Sequence, residues 1–181
     1  MRDERRVIIP FVRYRVANGS VTVRVNVFAL HHDPTQAARW HCDAHVVKMV
    51  LETAQLLSTA HHLTGGTAPY RPTHAKHPCA VWARDSQANY LWLCELGLEL
   101  CREYTARYGK THATEAVLRH LADDVPALPD RMMTPFAQAM PVELRGSEPI
   151  AAYHRYYQTK RGGRLGTWKK NRPGWFDQTN T

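Results

Sequence analysis

The alternation of apolar and polar residues divides the first part of the chain into a predicted strand and a predicted helix. Residues 20–31 alternate with a period of two, which is typical of a strand. A helical period follows over residues 35–62, introduced by Asp33 and Pro34, a frequent combination at the start of a helix. A pair of glycines after this segment ends the predicted helix. The pattern therefore predicts a short N-terminal strand followed by one long helix.

The rest of the chain continues in a helical pattern with one long interruption. A second long helix is predicted to begin at Pro78 and to end at Gly109, since proline suits a first turn and glycine a C-cap. Shorter helices are predicted over residues 114–122 and 150–160. Residues 125–148 are rich in proline and methionine and are predicted to form a long loop over the core. We predict a mainly α, single-domain helical bundle.

Composition supports one folded domain. The chain has 181 residues, of which 44% are hydrophobic and 22% charged, as in ordinary globular proteins. It has no apolar run of the roughly 20 residues needed to span a bilayer, and its start lacks the features of a signal peptide. Its four cysteines form no CxxC pair, so we interpret them as reduced, buried thiols. These features predict a cytoplasmic protein without a membrane partner.

Positive charge is concentrated at both ends of the chain, whose formal net charge is +8. Residues 1–24 form a basic N-terminal extension, residues 25–160 the predicted helical catalytic domain, and residues 161–181 a basic tail with interleaved aromatic residues. Such a tail suits a phosphate backbone and unstacked bases. A solubilising surface segment would have the same composition, so charge alone leaves both interpretations open.

The first predicted helix carries an unusual polar stripe. At about 100° per residue, one sector of the helix holds residues that donate, accept and shuttle protons near neutral pH. These residues are His41, His45, Lys48, Glu52, Gln55, Thr59 and His62. A solvated face would more often hold Glu, Lys and Arg, although a His-rich exposed stripe remains the alternative. Asp43, on the other side, is predicted to cap the helix or to tie it to a neighbouring element.

Four histidines also permit a metal-binding interpretation. His41 and His45 are one helical turn apart, and His74 and His77 would supply two further ligands. No carboxylate lies at an obvious ligand spacing, and this interpretation leaves the rest of the stripe without a role. We therefore predict no metal and no cofactor, and keep metal dependence within an alternative function.

Scattered positions resemble a known family. The segment from Asp43 to Val46, with Glu52 seven residues after His45, resembles the catalytic helix of phage endonuclease V-type pyrimidine-dimer DNA glycosylases. The likeness to broader bacterial relatives of that family extends over roughly residues 25–115 and rests on Tyr70, His77, Pro78, Trp82, Glu103, Arg107, Tyr108, Gly109, His112 and Thr114. The segment from Cys42 to Met49 is similar to uncharacterised phage proteins that share a Cys-Asp-x-His-Val-Val-Lys-Met pattern.

The resemblance implies a DNA glycosylase/lyase that acts on damaged or modified bases of double-stranded DNA in a bacterial or phage-infected cell. Such enzymes flip the base out of the duplex, attack the sugar C1′ with an amine and pass through an imine. By position, Glu52 would be the catalytic carboxylate and His45 an accompanying polar contact. His41 and Lys48 complete the predicted catalytic set.

The nucleophilic amine is where the sequence departs from the family, which uses the α-amine of the processed chain terminus. Here 24 residues precede the matching segment Val25-Asn26-Val27-Phe28. Val25 could mark the true start, read as methionine, and the terminal amine would then be the nucleophile. Alternatively, Lys48 supplies the amine, because it lies one turn before Glu52. Its competing role is an ion pair with Glu52. Both interpretations remain open.

Contacts with DNA are predicted at basic, histidine and tryptophan residues outside the stripe. The predicted set is His74, His77, Arg84, Arg107, Lys110, His112, Trp168, Lys169, Lys170 and Arg172, with Trp175 a second stacking candidate. Trp82 and Trp92 are instead predicted to lie in the core, because they share a helix face with leucines. Two other functions stay open: an enzyme of nucleotides or modified bases, with or without a metal, and a non-catalytic nucleic-acid-binding protein.

Overall fold

A computed structural model describes residues 25–163 and 165–178. Within them the protein is mainly α-helical. Six α-helices lie in this part of the chain: α1 (Pro34–Trp40), α2 (Asp43–Leu63), α3 (Pro78–Ala83), α4 (Gln87–Tyr108), α5 (Glu115–Asp123) and α6 (Pro149–Gln158). Two short 3-10 helices, Val142–Leu144 and Gly174–Phe176, complete the regular structure of the described residues. The predicted fold class is thus confirmed.

The predicted N-terminal strand is wrong where it can be checked. Residues 25–31 form no strand and pair with no other strand among the described residues. Residues 20–24 lie outside that part of the chain, as does the rest of the predicted extension 1–24. Side chains of helices hold this segment instead: His154 Nε2 bonds Leu30 O and Trp92 Nε1 donates to His32 O. The segment is buried on both faces, so its alternation does not reflect a sheet surface.

Each long predicted helix is divided in two. The first breaks at His41 and Cys42, whose backbone is extended, so α1 ends at Trp40 and α2 begins at Asp43. The second breaks before Ser86, whose hydroxyl accepts a hydrogen bond from Asn89 N and caps α4. The other predicted ends are close to those observed, and Gly109 closes α4 in the left-handed conformation that favours glycine.

Helix α2 is the central element, packed between α4, α3 and α5. Gly97 of α4 permits this close approach, because a Cβ there would lie 2.8 Å from Thr53 Cγ2 and 2.9 Å from Leu118 Cδ2. The predicted core positions Trp82 and Trp92 are buried against Phe136, which belongs to the loop over the core. Packing on several sides explains why α2 buries polar residues as well as apolar ones.

The four cysteines are buried and free, as predicted. Burial raises the pKa of Cys42 to about 11 and the pKa of Cys79, Cys94 and Cys101 to about 12. The thiols therefore remain protonated at neutral pH, and none of them is a ready nucleophile.

The C-terminal residues fold back onto the helices. Gln158 Nε2 donates to Trp175 O and Trp168 Nε1 donates to Trp40 O, while Asp43 N donates to Thr167 O. The predicted boundary at residue 160 therefore does not separate a tail from the helical domain in residues 165–178. Within the described residues, no helix is long and apolar enough to cross a membrane.

Candidate functional site

An amine and a carboxylate meet on the predicted stripe of α2. Lys48 Nζ lies 2.8 Å from Glu52 Oε1, one helical turn away. The Lys48 side chain is 43% exposed, whereas the Glu52 side chain is only 4% exposed. The amine is thus accessible from solvent, and the carboxylate lies just beneath it. This arrangement agrees with the predicted pairing and leaves the lysine within reach of a ligand.

The buried side of Glu52 is held by the N-terminal segment. Asn26 N donates to Glu52 Oε2 over 3.1 Å, so each carboxylate oxygen has its own donor. Asn26 is itself fixed, because its Nδ2 donates to Ala139 O and its Oδ1 accepts from Val27 N. Because the hydrogen bond from Asn26 N does not involve Lys48, the Glu52 carboxylate keeps its position when Lys48 moves toward a ligand.

The surroundings of Glu52 raise its affinity for a proton. Burial raises the pKa of this carboxyl above its ordinary value, while the charge and hydrogen bond of Lys48 and the Asn26 N–H oppose the rise. Burial is the largest of these influences, because the neutral acid loses less hydration than the carboxylate. Glu52 is therefore suited to accept a proton from its neighbour and to return it.

His45 lies one turn before Lys48 and is fixed on two sides. Its Nδ1 is 2.6 Å from the hydroxyl of Tyr157, and its ring stacks on Phe28 at 4.3 Å with planes 5° apart. Burial lowers the pKa of His45 well below its usual value, and the nearby charges of His41, Lys160 and Lys48 act in the same direction. His45 is thus an uncharged imidazole beside the Lys48–Glu52 pair at neutral pH.

His41 does not belong to this accessible site, contrary to the sequence-based prediction. It lies at the break before α2 and is completely buried, with Nδ1 bonded to Ala37 O at 2.7 Å. Its Nε2 is buried without a hydrogen-bond partner in the described part of the chain. The prediction assumed one continuous helix, which would have placed His41 one turn from His45. A side chain sealed in the core cannot contact a substrate, so we interpret His41 as a core histidine.

Burial of His41 predicts a loss of stability in mild acid. Desolvation lowers the pKa of His41 from 6.5 to about 4. Between pH 6.5 and 4, His41 is therefore protonated in the unfolded chain but not in the folded chain. The free energy of unfolding consequently falls as the pH drops from about 6.5 to 4. We expect a loss of about 3 kcal/mol in the free energy of unfolding from this group. Urea denaturation across that range measures it.

The matched variants are His41→Gln and His120→Gln, since His120 is exposed. His41→Gln is expected to reduce the dependence of stability on pH between 4 and 6.5 by the share of this one group, whatever its effect at pH 7; His45, whose pKa burial also lowers, continues to contribute. His120→Gln should leave that dependence as it is in the native chain. An unchanged slope in His41→Gln would show that His41 is not the group responsible.

The remaining part of the stripe has a structural role. Thr59 Oγ1 donates to Gln55 O and accepts a hydrogen bond from Thr73 N, and His62 Nε2 bonds Tyr70 O. These bonds tie the loop before α3 to the second half of α2. The stripe therefore divides into an accessible amine–carboxylate half and a half that anchors a loop.

The four histidines of the metal interpretation do not assemble. No group of three or more His, Cys, Asp or Glu side chains that could hold a metal ion occurs in residues 25–163 and 165–178. His77 Nδ1 accepts from Cys79 N and caps α3, and His74 Nδ1 bonds the Thr73 hydroxyl. Both rings thus stabilise the loop before α3 and the start of that helix, and neither joins His45 in a metal site.

Arg107, predicted to contact phosphate, is instead a buried structural arginine. Its guanidinium has five N–H groups, and four acceptor atoms inside the protein engage them. Nε and Nη2 contact Glu103 Oε2, Nη1 donates to Asp43 Oδ1 and His41 O, and Nη2 donates to Arg39 O. Asp43 thereby ties α2 to α4, as one of its two predicted roles required. No N–H remains for a phosphate.

Two more residues predicted to contact DNA, His112 and Arg84, make hydrogen bonds to nearby backbone atoms. His112 Nδ1 accepts from Thr114 N and its Nε2 bonds Val47 O, so both ring nitrogens hold backbone. Arg84 Nη1 donates to Ala80 O within α3, although the side chain is half-buried and not sealed. His112 and Arg84 therefore stabilise the local backbone, and these bonds compete with a contact to DNA.

The predicted stacking tryptophans are packed into the protein. Trp168 lies 4.5 Å from Phe176, and Trp175 stacks on His154 at 3.7 Å with planes 6° apart. Both rings are half-buried, so neither presents a free face comparable to a stacking platform. The aromatic residues of the tail therefore attach it to α1 and α6.

Several predicted cations do remain on the surface. Lys110, Lys169, Lys170 and Arg172 are exposed. Lys169 is positioned by its backbone N–H, which donates to Asp43 at the start of α2, and its Nζ lies 4.7 Å from the Tyr108 ring centroid. Arg172 is paired with Asp177 at 2.5 Å. Lys110, Lys169 and Lys170 are thus the predicted DNA contacts with the freest charges.

Sequence reasoning missed the residues that fix the site from a distance. Asn26 and Tyr157 contact Glu52 and His45 although 26 and 112 residues separate the partners. Tyr156, which precedes Tyr157, stacks on Phe28 with the ring centroids 5.9 Å apart. Lys160 Nζ lies 4.0 Å from the centroid of the Tyr156 ring. The aromatic spacing of α6 was visible in the sequence, but nothing in it indicated which ring would meet α2.

Comparison with protein-family models, with curated proteins and with solved structures finds no match to this chain.

Proposed function

We propose that this protein is a DNA glycosylase/lyase-type enzyme that acts on damaged or modified bases of double-stranded DNA. The observation that carries the proposal is the solvent-accessible Lys48 amine 2.8 Å from the buried carboxyl of Glu52. Imine chemistry at a sugar carbon requires an amine nucleophile and a group that takes up and returns protons. Lys48 and Glu52 supply these two parts on adjacent turns of one rigid helix.

The pair can generate its own nucleophile. A protonated lysine does not attack carbon, so one proton must leave Lys48 Nζ first. Glu52 accepts it along the existing hydrogen bond, because burial has already raised the pKa of that carboxyl. The product is a neutral amine facing solvent beside a neutral acid, with no net charge buried by the transfer. The Asn26 N–H continues to hold the other carboxyl oxygen.

The bond changes then balance without a further reagent. Lys48 Nζ attacks C1′ of the flipped nucleotide, the glycosidic C–N bond breaks and the base leaves with the bonding electrons, taking up the proton that the now positively charged Nζ gives up. Glu52 protonates the ring oxygen as the C1′–O bond opens, which leaves a protonated imine between Nζ and C1′. The Glu52 carboxylate, free again after protonating the ring oxygen, then takes a proton from C2′, and the 3′ phosphate leaves with the electrons of its C–O bond by β-elimination. At an abasic site the same amine condenses with the C1′ aldehyde and releases water.

Exposed lysines provide the charge that DNA requires. Lys169 and Lys170 lie beside the start of α2, at the end that carries His45 and Lys48. A phosphate backbone along this surface would be attracted by these cations. Lys110 extends the same positive character beyond the end of α4.

The second nucleophile left open by the sequence also fits this place. Asn26 N is 3.1 Å from Glu52 Oε2, so a chain starting at position 25 would carry its α-amine close to the same carboxyl. The two versions share Glu52 and differ in the amine. Substitution of Lys48 distinguishes the two versions, because it abolishes the covalent adduct with DNA only if Lys48 is the nucleophile.

Borohydride trapping on an abasic-site duplex tests the proposal. Borohydride reduces an imine to a stable amine, so the native chain is expected to form a covalent protein–DNA adduct. Lys48→Arg keeps the charge but removes the nucleophile, and its adduct is expected to fall at least about a hundredfold. Lys76→Arg, at an exposed lysine in the loop before α3, should trap like the native chain. Nicking of UV-irradiated against unirradiated plasmid then reports base excision.

The outcomes separate the versions. If Lys48→Arg traps like the native chain, and a chain starting with methionine at position 25 traps faster, the nucleophile is the terminal amine. If no protein forms an adduct with the abasic duplex or nicks irradiated plasmid, the glycosylase/lyase proposal is wrong.

A further inference from the structure

The hydroxyl of Tyr157 is hydrogen-bonded to one ring nitrogen of His45. Tyr157 is completely buried, and its only hydrogen-bond partner among the described residues is His45 Nδ1 at 2.6 Å. If Nδ1 carried the proton, the tyrosine hydrogen would face the core without an acceptor, which costs about 1–3 kcal/mol. The lower-energy arrangement has Tyr157 donating to Nδ1, and the ring proton then resides on Nε2.

The opposite nitrogen of His45 is open to a ligand. His45 Nε2 has no partner within the described residues, and it is not among their fully buried unpartnered atoms, unlike Nε2 of His41. His45 precedes Lys48 by three residues on α2, so their side chains lie on the same face. The ring is stacked on Phe28 at 4.3 Å, which prevents it from turning away. Because His45 is 5% exposed and not completely sealed, a fixed N–H donor lies just beneath the surface on the helix face that carries Lys48.

We propose that Tyr157 is a positioning residue that holds His45 in the Nε2–H form, so that His45 donates a hydrogen bond to an oxygen of the nucleotide attacked by Lys48. This inference rests on the proposed glycosylase/lyase function for the identity of the ligand. The recognised chemistry is an oxygen acceptor next to C1′, on the sugar or on its flanking phosphate. His45 binds and orients that oxygen, while Glu52 carries out the proton transfers.

Burial and neighbouring charge keep His45 in this neutral state. Desolvation lowers its pKa, and His41, Lys160 and Lys48 lower it further. Burial raises the pKa of Tyr157 far above its usual value, so its hydroxyl keeps the proton that it donates. Arg107 opposes that rise only as a minor influence. The donor on Nε2 is therefore present across the neutral range without adding a positive charge to those of Lys48 and Lys160.

The tautomer is measured by ¹⁵N NMR of the full chain labelled at histidine, with His45→Gln assigning the signals. The native protein is expected to show His45 as neutral Nε2–H at pH 7. Tyr157→Phe keeps the ring and removes the hydroxyl, and it is expected to move His45 toward a mixture of tautomers. Its rate of borohydride trapping should fall about tenfold or more, since a misplaced polar contact costs up to about a hundredfold.

A second background excludes a purely structural effect. Glutamine at position 45 carries an amide N–H near the position of Nε2 and needs no tyrosine to set it. Adding Tyr157→Phe to His45→Gln is therefore expected to change trapping by less than about twofold. An equal loss in both backgrounds would overturn the proposal, and so would a native His45 found as Nδ1–H. A native chain that traps nothing would defeat the proposed function, while the NMR result still decides whether Tyr157 sets His45.

Discussion

Arg107→Ala is expected to lower the free energy of unfolding by about 3–5 kcal/mol, the largest effect of any single substitution considered for this protein. The Arg107 side chain is fully buried, and its guanidinium is paired with Asp43 and Glu103. Removing it takes the neutralising charge from two half-buried carboxylates, which keep only the Lys169 N–H and the Asn171 amide as donors, and leaves the carbonyls of Arg39 and His41 without their donor. Unpartnered groups of this kind pay the full cost of desolvation. Urea denaturation at pH 7 measures the loss.

Arg102→Ala is the matched control on the same helix. The Arg102 side chain is 72% exposed and contacts Glu99 at the surface. An exposed ion pair contributes about 0–1 kcal/mol, so this variant should unfold nearly like the native chain. A loss below about 1 kcal/mol in Arg107→Ala as well would contradict the structural role, and would return Arg107 to the set of candidate phosphate contacts.

The periodicity of the sequence was sufficient for the fold class and for most helix ends. Apolar positions at helical spacing identified Trp82 and Trp92 as core residues, and both are buried. Local signals located the ends: Asp33 caps α1 through Thr35 N, and Gly109 closes α4 with φ of 67°. These features depend on residues within a turn or two of each other, which is the range over which a single sequence is informative.

The break between α1 and α2 was not predictable from local signals. Neither His41 nor Cys42 is a helix breaker, and the helical period runs through them. The break leaves the His41 carbonyl without a helical partner, and Arg107, 66 residues later, donates to it over 2.8 Å. A tertiary contact thus determines where α1 ends, and the same break buries His41 and removes it from the predicted site.

In the candidate site, too, the features set by local spacing were predicted and those set by tertiary contacts were not. His45, Lys48 and Glu52 were predicted together because helical spacing places them on one face, and Lys48 indeed meets Glu52 at 2.8 Å. The groups that hold this face in place, Asn26 and Tyr157, come from the two ends of the described chain. Charge composition was the weakest guide, because the sequence does not distinguish an arginine engaged with four internal acceptor atoms, such as Arg107, from one on the surface.

Glu52→Gln is expected to reduce the rate of borohydride trapping by about 10²–10⁴-fold, because glutamine accepts no proton from Lys48 and returns none to the sugar. Its shape matches that of glutamate, and its oxygen still accepts from Asn26 N, so the fold should survive. Stability is expected to remain within about 1 kcal/mol of the native value, since burial already penalises the charged form of Glu52.

Comparison of Glu52→Gln with Glu95→Gln assigns the loss to chemistry. Glu95 is exposed on α4, and its substitution should leave trapping and stability unchanged. Binding of an abasic duplex is expected to persist in Glu52→Gln, because the exposed lysines around α2 remain. Binding without trapping identifies Glu52 as the proton carrier of the amine. If Glu52→Gln traps at the native rate, then Glu52 only anchors Asn26 and Lys48, and the proton must leave Lys48 to water.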